Sequence, residues 1–466
     1  MELNLSEPGP SRYLRVYEYY KELIVSGQMK PGAKLPSIRK CSLQLQLSRT
    51  TVETAYMLLA ADGYIISRPQ SGFYVTDAVL AATDPEEIKG SAARQEKRPE
   101  IVYDFASSNV DRDSFQFELW RRYVKSALRQ DERLLSYGEP QGEREFREAL
   151  CAYLGRHRNV ICTPDSIVVG AGVQSLLHIL CPMLWERDSA WFFNPSFRQG
   201  RQIFEDYGFQ TGDIREYWGK KEKMESPKSI CYLTPSQMTV WGEVMPVGDR
   251  MKLLKEAVRD NMLIIEDDYN SEFRYYNRPT PSLQGLSSGR GVVYLGTFSR
   301  LLLPSIRMSY MVLPPELLKR YQERGHFYNQ TASKAEQIAL CQFIRDGHLE
   351  SQIRKSKKLY AAKAKSLCEA VHHIFGEKAR THLGDAGFLV LMELDSPLTS
   401  TEIAARAAQT GVAVRPVESV ESLLEKQAHH FKEGYPKILL SCASMGAECY
   451  DEALEVLKEA VYGKEK

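Results

Sequence analysis

Three apolar-periodic stretches at the start of the chain predict three short amphipathic helices. The first covers residues 12–24, the second begins after Ser37, and the third begins at Ser48 and ends at Gly63. Serine is a favoured helix N-cap because its hydroxyl accepts a hydrogen bond from a backbone N–H group of the first turn. Residues 64–75 alternate between apolar and polar side chains, which indicates a β-hairpin. Three helices and a hairpin predict a winged helix-turn-helix unit of the α+β class.

The rest of the chain alternates short apolar runs with helical stretches. The runs that predict strands are residues 166–169, 190–193, 229–233, 262–265 and 292–295. This alternation is typical of an α/β domain, in which helices cover a mostly parallel sheet. After residue 350 the pattern indicates a smaller α+β unit, with strands predicted at residues 387–392 and 438–441.

Length and composition favour several domains. A chain of 466 residues exceeds the size at which a single hydrophobic core keeps growing. Residues 77–101 are mostly small or charged and include few large apolar side chains, which predicts a linker. We therefore predict a winged-helix domain at residues 1–76, this linker, a large domain at residues 102–345 and a small domain at residues 346–466.

Composition argues against secretion, membrane insertion, a disulfide scaffold and a metal site. The chain is 43% hydrophobic and 26% charged with a net charge of +1, whereas residues 1–75 carry nine basic and six acidic side chains. Nine cysteines are scattered singly and no His cluster has metal-ligand spacing, so neither a disulfide scaffold nor a metal site is predicted. The chain opens without a secretory leader pattern, and no apolar run approaches the roughly 20 residues of a membrane span. We expect a cytoplasmic protein without a membrane partner.

Three motifs in the first unit resemble the GntR family of bacterial winged-helix regulators. They are Lys-Pro-Gly-Ala-Lys-Leu-Pro-Ser-Ile-Arg at residues 30–39, Leu-Ser-Arg-Thr-Thr-Val at 47–52 and Ser-Arg-Pro-Gln-Ser-Gly-Phe-Tyr-Val at 67–75. Taken singly, each basic residue is more simply read as ordinary surface charge. Their order and turn chemistry together favour the family, and the resemblance implies double-stranded operator DNA as the partner.

The third helix is the expected recognition element. A helix that begins at Ser48 can direct its first-turn N–H groups and side chains into a major groove. Residues of the second helix can reach phosphates, and the hairpin can contact the DNA backbone or the minor groove. The predicted DNA-binding residues are Ser37, Arg39, Ser48, Arg49, Thr50, Thr51, Arg68, Ser71 and Gly72.

From about residue 102 onward, the chain resembles the fold-type I aminotransferases, which use pyridoxal phosphate. The motif Ile-Ile-Glu-Asp-Asp-Tyr-Asn at residues 264–270 follows an apolar run, and Gly-Ala-Gly-Val-Gln at residues 170–174 opens a helix. Combined with the first unit, the whole chain resembles the MocR/GabR subfamily of GntR regulators. The resemblance implies a homodimeric transcription factor whose effector domain descends from an enzyme.

The same resemblance implies a set of cofactor contacts. Asp267 would pair with the ring nitrogen, Tyr269 with the phenolic oxygen, and Phe197 would stack on the ring. The expected phosphate contacts are Gly172, Val173, Gln174, Thr297, Ser299 and Arg307, together with Tyr137, which would reach the phosphate of the partner subunit. An acidic pair after an apolar run is, by itself, more often a solvated turn. The ordered set at family spacing is what favours the cofactor-derived fold.

Three departures from the family pattern bear on cofactor chemistry. Arg300, in Gly-Thr-Phe-Ser-Arg at residues 296–300, stands where the pattern of neighbours requires a lysine. A guanidinium stays charged and is a poor nucleophile, so no covalent pyridoxal phosphate aldimine is expected. Ser444 stands where the family carries an arginine for the α-carboxylate, and residues 237–241 depart from the His-Gln-Phe-Pro pattern. An engineered substitution would explain Arg300 only, whereas the three departures together favour natural loss of the chemistry.

These observations lead to one main hypothesis and one rival. The main hypothesis is a DNA-binding transcriptional regulator with a catalytically inactive aminotransferase-like domain that mediates dimerisation and effector sensing. Pyridoxal phosphate would be absent or held non-covalently, and Arg300 could instead pair with an acidic small-molecule effector. The rival is a pyridoxal-phosphate-dependent aminotransferase with an appended DNA-binding module, in which Arg300 is an engineered substitution.

Overall fold

The structure is a computed structural model in which the chain divides into two compact units, residues 1–98 and 99–466. It describes residues 11–76, 99–107, 109–193, 197–220, 228–239, 241–274, 280–385, 387–417, 431–432 and 434–463. Most of the predicted linker, residues 77–98, lies outside these ranges, as does Val240 in the divergent stretch 237–241.

The first unit contains three helices and a hairpin, in that order. They are α1 (Arg12–Val25), α2 (Ile38–Leu45), α3 (Arg49–Ala61), β1 (Ile65–Arg68) and β2 (Gly72–Val75). The two strands pair antiparallel, with Arg68 opposite Gly72 across the turn. A positive φ of 107° at Gly72 is a conformation that glycine adopts without a Cβ clash. The predicted winged helix-turn-helix is therefore confirmed.

One small core holds this unit together. Val16 from α1, Cys41 from α2 and Val52 from α3 are fully buried in it. Tyr56 from α3 is also buried, and its hydroxyl donates to the carbonyl of Pro36 at 3.0 Å. Since the buried phenol is hydrogen-bonded, α3 is fixed against the segment that leads into α2.

The second unit carries most of the secondary structure. Its strands are β3 (Tyr103–Asp104), β4 (Ile167–Gly170), β5 (Ser189–Phe192), β6 (Gln210–Asp213), β7 (Ser229–Leu233), β8 (Leu263–Asp267), β9 (Val292–Thr297), β10 (Ser309–Val312), β11 (Ala379–Leu383), β12 (Leu389–Leu394), β13 (Val412–Ala413), β14 (Arg415–Val417) and β15 (Lys437–Ser441). Its helices are α4 (Phe117–Leu128), α5 (Asp131–Leu134), α6 (Arg144–Arg158), α7 (Val173–Leu180), α8 (Arg198–Asp206), α9 (Ile214–Lys220), α10 (Val247–Arg259), α11 (Leu283–Leu286), α12 (Pro315–Arg324), α13 (Lys334–Arg345), α14 (His348–Phe375), α15 (Ser400–Gln409) and α16 (Tyr450–Tyr462). None of the helices in the described ranges is long and apolar enough to cross a membrane.

A seven-stranded sheet forms the centre of the second unit, in the order β4-β10-β9-β8-β7-β5-β6. Strand β10 runs antiparallel to β4 and β9, and the other neighbouring pairs are parallel. Every residue of β7 and β8 is buried, as expected for strands covered by helices on both faces. The mostly parallel sheet predicted from the sequence is confirmed.

A separate antiparallel sheet has the order β11-β12-β15-β14. The short strand β3, near the start of the unit, pairs in parallel with β13, and Tyr103 lies opposite Val412. The chain thus returns to pair with the first segment of the unit after more than 300 residues of intervening sequence. The predicted boundary between a large and a small domain stays a prediction.

The predicted strands are found at the expected places, with shifted ends. The strand predicted at 387–392 is instead Leu389–Leu394. Gly387 has a φ of 94°, which is not an extended conformation, so the strand begins only after it. The strand predicted at 166–169 begins one residue later, since Ser166 closes a turn by bonding to Thr163. The strand predicted at 262–265 continues to Asp267. That extension brings the acidic motif to the carboxyl edge of the sheet.

Candidate functional site

The first turns of α2 and α3 carry the predicted DNA contacts. The Ser37 hydroxyl caps α2 by accepting from the Lys40 N–H at 3.2 Å, and Ser48 caps α3 by accepting from the Thr51 N–H at 3.1 Å. The Ser48 hydroxyl also lies 2.9 Å from the Thr50 hydroxyl and 2.7 Å from that of Thr51. These contacts fix the start of α3, and the serines therefore have a structural role beside any contact with DNA.

The basic side chains of α2 and α3 are available to a ligand. Arg39 and Arg49 are exposed, and neither side chain forms an ion pair or a hydrogen bond within the described part of the chain. An exposed, unpaired guanidinium at the start of a recognition helix suits a bidentate contact with guanine or a phosphate. The structure is thus compatible with the predicted use of both residues.

In the hairpin, the Tyr74 side chain contacts two of the predicted DNA-binding residues, Arg68 and Ser71. The guanidinium carbon of Arg68 lies 4.6 Å from the centre of the Tyr74 ring, and the Ser71 hydroxyl lies 2.6 Å from the Tyr74 hydroxyl. Lys34 approaches the same ring, with Nζ at 5.6 Å from its centre. Sequence reasoning missed Lys34 and Tyr74, although both lie inside the motifs that it quoted. A bridge between the backbones of these two residues shows why they meet.

Asp267 is the central acid of the candidate pocket in the second unit. It ends β8 and is buried, and its Oδ2 accepts from the Tyr232 hydroxyl at 2.6 Å. Its Oδ1 is buried without a hydrogen-bond partner among the described residues. Burial raises the pKa of Asp267 to about 7, and the neighbouring Asp268 adds to the rise while Tyr232 opposes it. A protonated ring nitrogen at Oδ1 would satisfy the free oxygen and supply the missing positive charge.

Aromatic and polar neighbours complete this end of the pocket. The Phe197 ring stacks on Tyr232 at a centroid distance of 5.3 Å and an interplanar angle of 21°. The side-chain amide of Asn270 donates to the Gln237 Oε1 at 2.7 Å, which ties the divergent stretch 237–241 to the acidic motif. Tyr269 is half-buried at the same strand end. Phe197, Tyr232 and Asp267 are therefore brought together as one cluster.

The predicted phosphate contacts form a second cluster. Gly172 is the N-cap of α7, with a φ of 98°, and no side chain caps this helix. The Arg307 Nη2 donates to the Ala171 carbonyl at 3.3 Å, and a Cβ added to Gly172 would lie 2.5 Å from that nitrogen. The first-turn N–H groups, at Val173 and Gln174, have no partner inside the helix and suit an anion. The absence of a side chain at Gly172 therefore lets the Arg307 guanidinium lie directly beside the N-terminus of α7.

Two further predicted contacts come from the end of β9. The Thr297 hydroxyl oxygen accepts from the Ser309 hydroxyl at 2.8 Å and from the Ser299 N–H at 3.2 Å. Ser299 is half-buried. Tyr137, by contrast, is 98% exposed, and its side chain forms no hydrogen bond or ring contact with another described residue. Its contact with the phosphate of a partner subunit stays a prediction.

Arg300 follows directly after this strand end. Its guanidinium carbon lies 5.6 Å from the centre of the Phe388 ring, and the side chain forms no hydrogen bond or ion pair with any residue that the structure describes. Burial lowers the pKa of Arg300, the Tyr269 phenol opposes this, and the nearby Arg415 adds to the lowering. Arg300 is half-buried, and a guanidinium that is shielded from water without an acceptor is stabilised when an anion binds to it.

Arg415 is a pocket residue that sequence reasoning missed. It begins β14, opposite Leu439 of β15, and its Nη2 donates to the Ala106 carbonyl at 3.0 Å. The Ser444 hydroxyl is used otherwise, since it donates to the backbone carbonyl of Asp104. No sequence motif marks Arg415, because its proximity to Arg300 depends on the pairing of strands that are far apart along the chain.

A buried ion pair between Arg158 and Asp268 stabilises the acidic motif. Arg158, the last residue of α6, donates to both carboxylate oxygens of Asp268, at 2.6 and 3.0 Å. Asp268 also accepts from the Ser236 hydroxyl at 2.5 Å and from the Tyr294 hydroxyl at 2.6 Å. Burial alone would raise the pKa of Asp268, but Arg158 and these hydrogen bonds lower it. Asp268 is therefore held as a carboxylate next to the more weakly acidic Asp267.

The residues present fit the ring and phosphate of pyridoxal phosphate but not its covalent attachment. The free Oδ1 of Asp267 suits the ring nitrogen, and the Arg307 guanidinium beside the N-terminus of α7 suits the phosphate. Arg300 lies where the resemblance predicts a lysine, and a guanidinium does not supply a reactive amine. No group of three or more His, Cys, Asp or Glu residues within the described ranges could hold a metal ion.

Comparison with known proteins agrees with both halves of this description. The family model described as "Bacterial regulatory proteins, gntR family" matches residues 12–75, and that for "Aminotransferase class I and II" matches residues 100–457. The chain is thus a winged-helix regulator joined to an aminotransferase-like domain. It belongs to the MocR/GabR subfamily of the GntR regulators.

Individual relatives point the same way. The chain is 37% identical over 412 residues to the uncharacterized HTH-type transcriptional regulator YdeL of Bacillus subtilis, covering 87% of this chain and 89% of that protein. It is 28% identical over 471 residues to the probable rhizopine catabolism regulatory protein MocR of Rhizobium meliloti, covering 96% and 93%. A kynurenine aminotransferase structure from Pyrococcus horikoshii matches with a TM-score of 0.65 at 21% identity, covering 83% of this chain and 96% of that one. That last likeness concerns the fold alone.

Proposed function

We propose that this protein is a cytoplasmic transcriptional regulator whose aminotransferase-like unit senses an effector and dimerises without catalysing transamination. The observation that carries the proposal is Arg300, which lies just after β9, is half-buried and has no anionic partner among the described residues. Pyridoxal phosphate supplies an electron sink for amino-acid chemistry, and in the enzymes that use it a lysine amine of the protein holds it covalently. A pocket that keeps the ring and phosphate contacts but replaces the lysine is suited to binding alone.

The effector that fits this pocket carries a phosphate at one end and a carboxylate at the other. The N-terminus of α7 at Gly172, with Arg307 beside it, is suited to the phosphate. Arg300 and Arg415 offer charge-assisted donors to a carboxylate. Pyridoxal phosphate itself would make the first contact and Asp267 would hold its ring nitrogen, so non-covalent binding of the cofactor is part of the proposal.

Calorimetry can separate these contacts. Pyridoxal phosphate is titrated into the intact protein and into the Arg307→Ala variant, and Arg324→Ala serves as the matched control. Arg324 is also exposed and also donates to a backbone carbonyl, that of Pro182 at 3.1 Å. We expect weaker binding in Arg307→Ala and unchanged binding in Arg324→Ala. No heat with the unmodified protein would exclude the cofactor as a ligand.

A carboxylate analogue tests the role of Arg300. In the 5′-phosphate of 4-pyridoxic acid, a carboxylate replaces the aldehyde that a lysine would attack. We expect this acid to bind more tightly than pyridoxal phosphate, and we expect Arg300→Gln to remove the difference, since the amide keeps a polar group but loses the charge. An unchanged preference in Arg300→Gln would contradict the assignment of Arg300 to the anion.

We further propose that a homodimer binds two half-sites of an operator. A two-fold dimer presents two α3 helices, so the bound DNA should have two similar half-sites. Duplexes selected by the intact protein from a randomised pool, followed by footprinting, test this directly. A single protected half-site, or a monomer by light scattering at micromolar concentration, would contradict the dimeric arrangement.

The rival function is an active aminotransferase with an appended DNA-binding module. It requires a reactive amine at position 300, which the guanidinium of Arg300 does not provide. The rival would survive only as the function of a chain that carries lysine at this position.

A further inference from the structure

Cys151 and Cys162 are neighbours in the second unit. Cys151 is on α6, Cys162 lies on the segment between α6 and β4, and their sulfur atoms are 3.5 Å apart. Both residues are half-buried, whereas five of the nine cysteines are fully buried. No other two cysteines in the described ranges share a sulfur-to-sulfur hydrogen bond.

The two thiols are not equivalent. The Cys162 S–H donates to the Cys151 Sγ, and the Cys151 S–H donates to the Cys162 carbonyl at 3.2 Å. Burial and the neighbouring Cys151 both raise the pKa of Cys162, which favours its protonated form while the pair is reduced. A donor aimed at Cys151 stabilises negative charge on that sulfur once its own proton is lost. Cys151 is therefore the attacking thiol of the pair and Cys162 the resolving thiol.

The backbone beside Cys162 is already fixed. The Gln284 side chain accepts from the Ile161 N–H at 2.8 Å and donates to the Ile161 carbonyl at 2.7 Å. On the other side, the Thr163 N–H donates to the Ser166 hydroxyl at 3.0 Å. A disulfide needs a sulfur–sulfur distance of about 2.05 Å. Because the backbone is held on both sides of Cys162, the present sulfur–sulfur distance of 3.5 Å has to close by rotation of the two side chains.

We propose that Cys151 and Cys162 are a reversible dithiol site that low-molecular-weight disulfides oxidise to an intramolecular disulfide. The Cys151 thiolate attacks one sulfur of the small disulfide, forms a mixed disulfide and releases one small thiol. Cys162 then loses its proton to solvent and attacks the Cys151 sulfur, which forms the protein disulfide and releases the second small thiol. The protein pair loses two electrons, and the small disulfide takes them up as two thiols.

The position of this pair links it to the candidate pocket. Gln284, which grips Ile161, also donates its backbone N–H to a carboxylate oxygen of Glu266 at 2.9 Å. Arg158, the last residue of the helix that carries Cys151, donates hydrogen bonds to the carboxylate of Asp268. One element that the disulfide joins, α6, thus contacts Asp268, and the other, the segment that carries Ile161 and Cys162, is linked to Glu266 through Gln284. Oxidation would bear on effector binding, and this consequence alone rests on the proposed function.

The test uses the intact, reduced protein exposed to oxidised glutathione. After quenching with iodoacetamide, digestion and mass spectrometry identify each cysteine as alkylated, glutathionylated or cross-linked. We expect loss of two alkylatable thiols per chain, a cross-link between Cys151 and Cys162, and full recovery with dithiothreitol. Cys449, which is also half-buried, is the internal control and stays alkylatable.

Single variants test the order of attack. Cys162→Ser should accumulate a stable glutathione adduct on Cys151, whereas Cys151→Ser should leave Cys162 reduced. Circular dichroism and thermal unfolding establish that both variants fold, with Cys151→Ala as the substitute if the serine variant does not. Urea-unfolded protein serves as the reagent control, since its cysteines must all react.

Two results would overturn the proposal. Cysteines 151 and 162 that remain alkylatable while the unfolded control reacts would overturn the proposal. Separate glutathione adducts on both residues of the native protein, without a cross-link, would overturn it as well. Because this readout is independent of DNA or effector binding, its failure is distinct from failure of the proposed function.

Discussion

Replacing Arg158 with methionine should destabilise the second unit strongly. The change removes both charged hydrogen bonds to Asp268 and leaves that carboxylate fully buried, with only the neutral hydroxyls of Ser236 and Tyr294 as donors. The side chains of Arg158 and Asp268 are only 3% and 0% exposed, so solvent cannot replace the lost charge. Removing one partner of such a pair typically costs about 3–5 kcal/mol of unfolding free energy.

Tryptophan fluorescence makes this measurement specific. All five tryptophans lie at or beyond residue 120, so urea unfolding followed by their emission reports on the second unit alone. Arg144→Met is the matched control, because Arg144 lies on the same helix and pairs with Glu148 at 3.2 Å with both side chains largely exposed. An exposed pair at this spacing should contribute about 0.5 kcal/mol or less.

The pH dependence gives a second check on Arg158. In the unmodified protein, Arg158 keeps the pKa of Asp268 low, so the stability from this pair is present at neutral pH and is lost as the pH falls through that low pKa. In Arg158→Met, burial raises the pKa of Asp268, and the carboxyl is destabilising until it takes up a proton. The difference between the two proteins should therefore be larger at pH 8 than at pH 5. A cost no greater than that of Arg144→Met, or a difference that grows toward pH 5, would refute the reasoning.

Substitutions at three further positions test the two candidate surfaces. Arg49→Ala should weaken binding of the selected operator by about 1–3 kcal/mol in a gel-shift titration if Arg49 makes a bidentate base contact, and equal affinity would exclude that role. Tyr74→Ala should release Arg68 and reduce the salt dependence of DNA affinity, whereas Tyr74→Phe should keep the ring contact and most of the affinity; identical salt dependence in all three proteins would contradict this. Gly172→Ala should abolish calorimetric binding of pyridoxal phosphate, since the added methyl group collides with Arg307 at a backbone φ that alanine disfavours, and normal binding would contradict the proposed phosphate site.

The sequence predicts the architecture well because periodicity is a local property. Helices α1 to α3 and most sheet strands could be placed from apolar spacing, and the strand ends shifted where a single residue fixed the backbone, as Gly387 does. Asp267 could be placed at the sheet edge because the acidic motif directly follows an apolar run. Such inferences need no knowledge of which elements pack together.

Contacts between distant segments could not be predicted in this way. Tyr232 reaches Asp267 because β7 and β8 are neighbours, and that order is a property of the whole sheet. Arg415 comes near Arg300 from a strand of the other sheet. The thiol pair at Cys151 and Cys162 was likewise hidden, since the sequence shows only scattered cysteines. Side-chain chemistry at a site depends on this three-dimensional order, whereas the elements themselves do not.

The most direct test of the central claim is a reduction experiment. The intact protein and its Arg300→Lys variant are incubated with pyridoxal phosphate, treated with borohydride and weighed by mass spectrometry of the whole chain, with visible absorption recorded beforehand. We predict no visible band attributable to attachment at position 300 and no adduct on the peptide that contains Arg300, whereas the lysine variant gains both. A borohydride-stable adduct on any residue of the candidate pocket in the unmodified protein would contradict the claim that this unit binds pyridoxal phosphate without covalent chemistry.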